Sequence, residues 1–493
     1  MACRDGVHGY EEGMKMRGEM LWRNPASLML HVSFLVVLAG AICTWLLQQR
    51  GVVRLSPGEK VVEFRSVKGE LLPLPAVMEL DSFIVEYYHG NIAPRDYISY
   101  LKLGGRPCQV SMNNALETEG YIFCQSGYDY DGSSILSVNH DPWGITLVYT
   151  GFLMFAVSGL WVLLSRRCKW RSLLRRLSLL PLLAIPGTMS AANTAMAELN
   201  ERAGWEQIYS SVPFTTLIFI LLFSGAALSF LALSGSGMPR KLSGFILVSA
   251  TALSASCFIL HWALSGHIPL SDTYETLLFA VLALELLILL ACRKDIILRG
   301  IAMTFAGALA LVAHLIEESP FEAPLAPVLN SPWLSIHVSL VMTAYALFGL
   351  TFVAAATAII SPNTEKRMHV ISLAALYPAE WLLGLGIITG AVWANTSWGR
   401  YWSWDPKETL ALLTFIIYAL PLHGKPPRHS HNSHHNSTSH HFHRSLHNSH
   451  PLHSRYSFFR TTRRYHIYML LAILSVAATY FGINYLPSLH SYS

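Results

Sequence analysis

Four histidines lie at or near the ends of apolar segments long enough to cross a membrane: His31, His423, His337 and His490. Ionisable side chains in such segments are costly and are usually functional, and imidazole is a common axial ligand of haem iron. Counted along their segments, His31 and His423 share one depth near the inner surface. His337 and His490 share a second depth near the outer surface. The pattern predicts two bis-histidine haem positions, one at each face.

A tryptophan-rich loop lies beside the outer pair. Residues 393–408 read WANTSWGRYWSWDPKE, and their tryptophan rings form a predicted shelf on which a flat porphyrin can stack. Arg400 or Lys407 is expected to pair with the haem propionates. A plain aromatic belt at the membrane surface is the alternative interpretation of the rings. The tryptophans are Trp393, Trp398, Trp402 and Trp404.

Asp405 has two interpretations within this loop. It precedes Pro406 at the predicted start of the next helix, so its plainest role is that of an N-cap residue, with proline in the first helical position. It also belongs to the predicted haem-contacting set of the loop.

The remaining histidines of the apolar segments divide into two groups. His267 and His314 lie near the outer surface and are rival ligands. No depth-matched partner is apparent for the others, and a structural role is expected for them. These are His261, His369 and His466.

Composition indicates a multi-pass membrane protein. The chain of 493 residues is 52% hydrophobic and 13% charged, whereas soluble domains carry about 25% charged residues. The net charge of +5 gives no reason to expect nucleic-acid binding. The seven cysteines form no Cys-x-x-Cys pair, which argues against a thioredoxin-type motif and a zinc ribbon. Cys108 and Cys124 share a soluble segment, and whether they form a disulfide stays open.

The apolar segments predict about eleven membrane-spanning helices. With the amino terminus inside, 24 of the 35 Lys and Arg residues fall on the inner side, in keeping with the positive-inside rule. Omitting the third segment would invert every later one and place the basic loops outside. The segments are 27–47, 143–164, 173–190, 212–234, 242–264, 273–291, 297–315, 333–359, 379–395, 408–423 and 467–486.

The predicted fold is an all-α polytopic membrane protein with one small β-rich domain on the outer side. Residues 1–26 form an inner amino terminus, and the first span is a retained anchor because it lacks a cleavage site. Residues 48–142 alternate in hydrophobicity between turn residues and predict strands. Residues 191–211 are an outer linker. The inner loop 424–466 carries ten histidines between 428 and 453 and is interpreted as a solvated low-complexity tract, with metal or haem scavenging as the alternative.

Residues 393–408 closely resemble the signature of the haem-handling WWD proteins, in the form found in the CcsA-type subunit of system II cytochrome c biogenesis. Further stretches resemble the same subunit: 269–276 (PLSDTYET), 331–339 (SPWLSIHVS) and the end of the chain, 482–492. The amino-terminal region, 27–190, resembles the partner subunit of the ResB or CcsB type. The matching pieces there are 30–34 (LHVSF), 112–114 (MNN) and 141–144 (DPWG) leading into 148–151. Residues 212–493 would then be the CcsA-like domain.

The resemblance implies a fused CcsBA-type holocytochrome c synthase of a bacterial cytoplasmic (inner) membrane, with the WWD loop and the β-rich domain in the periplasm. Such proteins are thought to carry haem b (iron protoporphyrin IX), as substrate, across the membrane. They join its vinyl groups to the Cys-x-x-Cys-His thiols of apocytochrome c, which thiol-reducing proteins keep reduced. By motif match, His337 and His490 are the outer haem ligands, which position the haem for attachment. His31 and His423 match the intramembrane pair.

Two departures from the family and two other functions stay open. The ResB-like region has a reduced outer domain and three predicted spans instead of four, and the histidine-rich tract resembles an insertion. The alternatives are a haem carrier that delivers to a separate ligase and a transporter of a non-haem solute. The outer domain argues against the carrier, and a haem absorption band in the purified protein would exclude the transporter.

Overall fold

A computed structural model describes residues 25–88, 92–165, 202–235, 237–292, 295–316, 325–423 and 462–482. The predicted segment 173–190, nearly all of the histidine-rich loop, His490 and the first 24 residues lie outside these described residues.

The β-rich domain is one antiparallel sheet of eight strands in the order β5-β4-β3-β2-β1-β8-β7-β6. The first and last long strands of the domain pair with each other, so Gln49 of β1 lies opposite His140 of β8. The strands are β1 Gln49–Leu55, β2 Lys60–Ser66, β3 Leu71–Tyr87, β4 Pro94–Leu103, β5 Arg106–Ser111, β6 Leu116–Thr118, β7 Tyr121–Tyr128 and β8 Ser134–His140.

The sheet curls around its own apolar core. In β1 every second residue is buried, as the two-residue repeat of a half-buried strand requires. The long strand β3 shifts register twice against β4, and such bulges bend a strand. Ser99 of β4 donates a hydrogen bond to Gln125 of β7 (2.7 Å), although the two strands are not neighbours in the sheet. The buried core includes Phe64, Met78, Leu80, Leu101, Val110, Phe123 and Leu136.

The rest of the described chain is helical. Eight helical segments are long and apolar enough to cross a membrane by length and composition, and α10 continues as a 3-10 turn through His423. The helices are α1 Pro25–Leu47, α2 Gly144–Leu164, α3 Arg202–Ser211, α4 Phe214–Leu231, α5 Gly237–Ser265, α6 Thr273–Ala291, α7 Ile296–Leu315, α8 Pro332–Ile360, α9 Glu365–Trp398, α10 Pro406–Ala419 and α11 Thr462–Tyr480.

Helices α1 and α2 pack closely because glycine removes the side chain at their contact. A Cβ atom on Gly40 would lie 2.7 Å from the Val148 nitrogen, and one on Gly151 would lie 2.6 Å from Val37 Cγ2. Small residues at helix contacts are typical of membrane proteins, where close backbone approach supplies the packing energy. The two helices therefore pack closely against each other, and the sheet is inserted between the end of α1 and the start of α2.

Contacts at the helix ends show which ends lie together. At the junction of α1, the sheet and α2, Thr44 Oγ1 donates to Asp141 Oδ2 (2.6 Å). α9 ends on the same side, where Asn139 Nδ2 donates to the Gly399 carbonyl (2.6 Å). We call this side the outer end. The opposite side, where α1 begins and α10 finishes, is the inner end.

The same reasoning orients α4 and α7. Arg367, at the inner start of α9, lies 3.5 Å from Asp295, the N-cap residue of α7. α7 therefore finishes at the outer end, where His314 lies 3.0 Å from Thr215 in the first turn of α4. α2 therefore finishes at the inner end and α4 begins at the outer end, and the predicted segment 173–190 between them stays a prediction.

The predicted fold class, a polytopic helical membrane protein with a β-rich domain, is confirmed. The count of about eleven spans stays a prediction. Two boundaries differ from expectation. α9 begins at Glu365, not at 379, because the helix continues through Pro378, which membrane helices tolerate. The predicted outer linker 191–211 contains a helix, α3.

Candidate functional site

The structure brings His31 and His423 together at the inner end. Their ring centres are 5.9 Å apart and their planes are nearly perpendicular, at 89°. Two imidazoles that share one metal ion at about 2 Å from each nitrogen have ring centres roughly 6 Å apart. The spacing of the pair therefore fits a bis-histidine metal centre with little change in distance.

Each ring of the inner pair is held by its own helix. His31 Nδ1 lies 2.7 Å from the Ser27 carbonyl, and His423 Nδ1 lies 2.9 Å from the Ala419 carbonyl. Because a carbonyl oxygen only accepts hydrogen bonds, Nδ1 is the donor in both contacts, and in the neutral ring Nε2 then carries the lone pair. Metal-binding histidines are commonly oriented by such a hydrogen bond from the other ring nitrogen.

Three phenylalanines lie on the outer side of the inner pair. Phe34 follows His31 by one helical turn, and Phe415 precedes His423 by about two. With Phe155 of α2 they form a cluster whose ring centres are 5.6 to 6.3 Å apart. A Cβ atom on Gly384 of α9 would lie 2.4 Å from the Phe155 ring, so this cluster packs directly against α9.

His337 of α8 contacts α9 nearer to the outer end than the phenylalanine cluster does. Its Nδ1 is 2.7 Å from the Gly386 carbonyl, so this ring has the same tautomer as the inner pair. A Cβ atom on Gly390 would lie 2.7 Å from the His337 ring, so the ring packs directly on the α9 backbone. The second predicted outer ligand, His490, lies outside the described residues.

The four tryptophans of the loop differ in environment. Trp393 is 1% exposed and packs in a cluster with Val328 and Leu334, and Trp398 meets it edge to face at 4.8 Å. Trp402 and Trp404 form a perpendicular pair at 5.8 Å, and Trp404 is 72% exposed. Trp393 is therefore packed inside the protein, whereas most of the Trp404 side chain is exposed.

Asp405 caps α10, as its sequence position predicts. Its carboxylate accepts from the Lys407 backbone N–H (2.9 Å), and Glu408 accepts in return from the Asp405 N–H (3.2 Å). Together they form a capping box with Pro406 at the start of the helix. Glu408 also accepts from the Ser403 N–H (2.8 Å), so the end of the loop is fixed to the helix.

Arg400 of the loop and Arg50 of β1 lie close enough at this surface to repel each other. Burial lowers the pKa of Arg400, repulsion from Arg50 of β1 lowers it further, and Glu408 acts in the opposite direction. Partly desolvated neighbouring cations favour an anionic ligand such as a carboxylate. Sequence reasoning found Arg400 and missed Arg50, because the antiparallel pairing of β1 with β8 is what places it near the loop.

The β-rich domain binds the loop and the start of α8 through its own motif residues. Asn113 donates to the Pro327 carbonyl (2.9 Å) and accepts from the Ser397 hydroxyl (2.6 Å). Asn113 has a positive φ of 62°, a conformation that asparagine tolerates better than most residues. The Tyr401 hydroxyl donates to Thr44 (2.8 Å). The outer surface is thus built from both regions of the chain.

Cys108 and Cys124 are free thiols. Cys124 is buried beside α9, with its sulfur 3.7 Å from the Thr396 carbonyl, and burial raises the pKa of its thiol to about 12. Cys108 lies in β5, with its sulfur 3.6 Å from the Leu101 carbonyl. The disulfide that the sequence left open is not formed.

The other histidines of the helices have different surroundings. His261 is buried and uses both nitrogens, with Glu275 at 2.9 Å and Tyr209 at 3.1 Å, which fits the structural role expected for it. The rival His267 has Nδ1 3.1 Å from the Ile268 carbonyl.

His369 and His466 do have a partner, in contrast to the expectation from depth. Their ring centres lie 5.8 Å apart, at 86°. His466 is 1% exposed, whereas His369 is partly exposed. Counting along the segments missed this pair because the start of α9 was placed too late.

Comparison with known families and proteins finds two families in separate parts of the chain. The ResB-like family matches residues 20–139, and the family described as Cytochrome C assembly protein matches residues 270–438. The chain is 31% identical over 245 residues to the cytochrome c biogenesis protein CcsA of Synechococcus sp. (strain CC9902), covering 42% of this chain and 80% of that protein.

Two further relatives agree. The chain is 32% identical over 212 residues to CcsA of Chlamydomonas reinhardtii, covering 39% of this chain and 58% of that protein. It is 32% identical over 295 residues to protein NrfI of Wolinella succinogenes, covering 57% of this chain but only 29% of NrfI. The chain belongs to the CcsA family of cytochrome c biogenesis proteins and carries a ResB-like region in the same polypeptide, as a fused CcsBA-type protein.

Proposed function

We propose that this protein is a holocytochrome c synthase that moves haem b from the inner His31–His423 pair to the outer site and attaches it there to apocytochrome c. The observation that carries the proposal is the approach of His31 and His423, whose ring centres lie 5.9 Å apart at the inner end. Both sites lie against α9. Its Gly384 packs on the phenylalanine cluster beside the inner pair, and its Gly386 and Gly390 contact His337.

The proposed chemistry needs positioning more than acid–base catalysis. A thiol S–H adds across each vinyl C=C bond of the porphyrin: sulfur bonds to one carbon, hydrogen to the other, and no electrons are gained or lost overall. Holding the reacting groups together makes this addition nearly unimolecular, an effect of up to roughly 7 to 11 kcal/mol in favourable cases. His337 and His490 would bind the iron, Trp402 and Trp404 would contact the ring, and Arg400 with Arg50 would bind the propionates.

The proposed orientation places the β-rich domain and the WWD loop in the periplasm of a bacterial inner membrane. Apocytochrome c would dock there, with thiol-reducing proteins keeping its cysteines reduced. Since loop and domain share the outer end, a client bound to one also meets the other. The histidine of the client motif would then displace His490 from the iron.

Expression with an apocytochrome in a host that lacks other cytochrome c biogenesis systems tests the function. The wild type should be purified with a Soret band and should produce cytochrome with covalently attached haem. Replacing His337 or His490 with Gly should abolish attachment, and added imidazole should restore part of it. His267→Gly is the matched control and should retain attachment.

Three outcomes would contradict the proposal. A colourless preparation from porphyrin-rich cells would exclude a haem protein. Full attachment by the His337→Gly, His490→Gly double variant would remove the outer ligands from the site. A Soret band without any thioether product would identify a haem carrier.

A further inference from the structure

Arg299 is a nearly buried cation at the inner end of the helices. It lies in the first turn of α7, after the N-cap residue Asp295, and is 7% exposed. Nη2 of its guanidinium donates a hydrogen bond to the Arg240 carbonyl (2.9 Å). Nε is buried and has no hydrogen-bond partner within the described part of the chain. Among the described residues, one neutral acceptor therefore serves a charged group that carries several donors.

Arg299 has no carboxylate as an ion-pair partner among the described residues. The carboxylate of Asp295, one helical turn earlier, accepts from a backbone N–H of α7 and lies 3.5 Å from Arg367. The ionisable groups that act on Arg299 are the Arg240 guanidinium, which is a second cation, and the Cys292 thiol. Because a cation held away from water is costly unless it is paired, this pair of arginines favours an anionic ligand.

The surroundings of the guanidinium fit a phosphate group. A Cβ atom on Gly244 of α5 would lie 3.4 Å from Nη1 of Arg299, so no side chain covers this nitrogen from that position. Both α5 and α7 begin at the inner end, and the amino-terminal end of a helix carries a partial positive charge that favours phosphate. The planar fork of an arginine also matches two phosphate oxygens. Cations, helix starts and free space therefore favour the same kind of ligand.

Exposed apolar side chains flank these cations. Phe230 of α4 is exposed, and its ring packs on α7 beside Arg299, because a Cβ atom on Gly300 would lie 2.9 Å from this ring. Leu242 and Phe245 lie in the same stretch of α5 as Gly244 and are also exposed. All three helices are long and apolar enough to cross a membrane. A ligand held here would meet cations at one end and apolar side chains at the other, as a phospholipid does and an inorganic phosphate ion does not.

We propose that Arg299 and Arg240 form a binding site for the phosphate group of an anionic phospholipid at the inner end of the helices. The phosphate accepts hydrogen bonds from the Arg299 guanidinium, Arg240 supplies the second positive charge, and the acyl chains lie along Phe230 and Phe245. Basic pockets between membrane helices bind anionic headgroups in this way. The site uses neither haem nor cytochrome, so it goes beyond the proposed function and does not depend on it.

Native mass spectrometry of the full-length protein in detergent tests the site, with phosphatidylglycerol as the anionic probe and phosphatidylcholine as the lipid without net charge. The wild type should retain phosphatidylglycerol several-fold more tightly than phosphatidylcholine, and Arg299→Gln should abolish this preference. Arg463→Gln is the matched control, because it removes an exposed cation at the start of α11, and it should keep the preference. An excess of inorganic phosphate should not displace the lipid.

Equal retention of the two lipids by the wild type, or an undiminished preference in Arg299→Gln, would overturn the proposal. Displacement of the lipid by inorganic phosphate would also overturn it, because the ligand would then be the free ion. Should Arg299→Gln fail to fold, Arg240→Glu decides instead. Arg240 is exposed, and the new carboxylate would pair with Arg299 in place of the lipid phosphate. Phosphatidylglycerol should then be lost, and full retention would contradict the site.

Discussion

The tautomer of each imidazole separates the proposed haem ligands from His261. His31, His423 and His337 each donate from Nδ1 to a backbone carbonyl, an arrangement that is common among metal-binding histidines. His261 contacts other side chains through both nitrogens. Spacing along the sequence selected these three histidines and His490 as candidate ligands by depth, but it could not show the ring nitrogen that donates, because this depends on which carbonyl each ring contacts.

Gly390→Ala should disable the outer site without removing a ligand. The new methyl group would lie 2.7 Å from the His337 ring, so the ring must move away from the Gly386 carbonyl. We expect at least a tenfold loss of covalent haem attachment, measured as holocytochrome yield. Gly244→Ala in α5 is the control, because its Cβ would come no closer than 3.4 Å to its neighbours. An unchanged yield in Gly390→Ala would show that the His337 position is not critical.

Cys124 should resist alkylation in the folded protein. Burial raises its pKa from 9.0 to about 12, so almost no thiolate exists at pH 8. Because the folded-state pKa lies above the unfolded value, the thiol's contribution to stability is complete below pH 9 and is lost as the pH rises toward 12. Iodoacetamide labelling followed by mass spectrometry should modify Cys124 only after denaturation at pH 8. Rapid labelling of the native protein would contradict this burial.

At the scale of elements, the start of α10 fixes the WWD loop. The Asp405–Glu408 capping box satisfies N–H groups that the first helical turn leaves without partners, and Glu408 also accepts from Ser403. This cap was predictable from the order Asp-Pro-Lys-Glu. The buried position of Trp393 was not, because the sequence does not show that α9 continues to Trp398 and turns this ring toward Val328 and Leu334.

Two substitutions separate the capping role of Asp405 from a chemical one. Asn is as good an N-cap as Asp, whereas Ala costs about 1 kcal/mol. We expect Asp405→Asn to retain thermal stability and haem attachment, and Asp405→Ala to lower both. Thermal unfolding and holocytochrome yield are the measurements. Loss of attachment in Asp405→Asn with unchanged unfolding temperature would assign the carboxylate a direct role at the haem.

At the scale of the whole molecule, the outer surface depends on contacts between regions far apart in sequence. Asn113 meets Pro327 and Ser397, Asn139 meets Gly399, and Thr44 meets Tyr401. The sequence motifs around Asn113 and Asp141 identified the ResB-like region, but only the structure shows which residues of the loop and the helices these motifs contact. The β-rich domain itself was predictable from alternation, whereas its strand order was not, because β1 pairs with β8 across nearly the whole domain.

Asn113→Ala should weaken the outer site and spare the inner one. It removes hydrogen bonds to the start of α8 and to the end of α9, while the His31–His423 pair lies at the opposite end. With Asn113→Ala as the single change, we expect a reduced holocytochrome yield. In a His337→Gly background, where the proposed inner pair would be the remaining haem site, we expect Asn113→Ala to leave the Soret band unchanged. Asn114→Ala changes an exposed neighbouring residue and should leave both the holocytochrome yield and the Soret band unchanged. Loss of the inner Soret band would show that the domain supports the whole assembly.

The proposed inner haem site takes its two imidazoles from regions far apart in sequence, His31 from α1 and His423 from the turn after α10. A cut between Leu164 and Arg202 would leave two polypeptides with one of these ligands each. Neither fragment alone could coordinate iron on both faces, so loading would become a bimolecular event that dilution suppresses. Joining the pieces in a single polypeptide raises their effective concentration and makes iron capture independent of how much protein the cell contains.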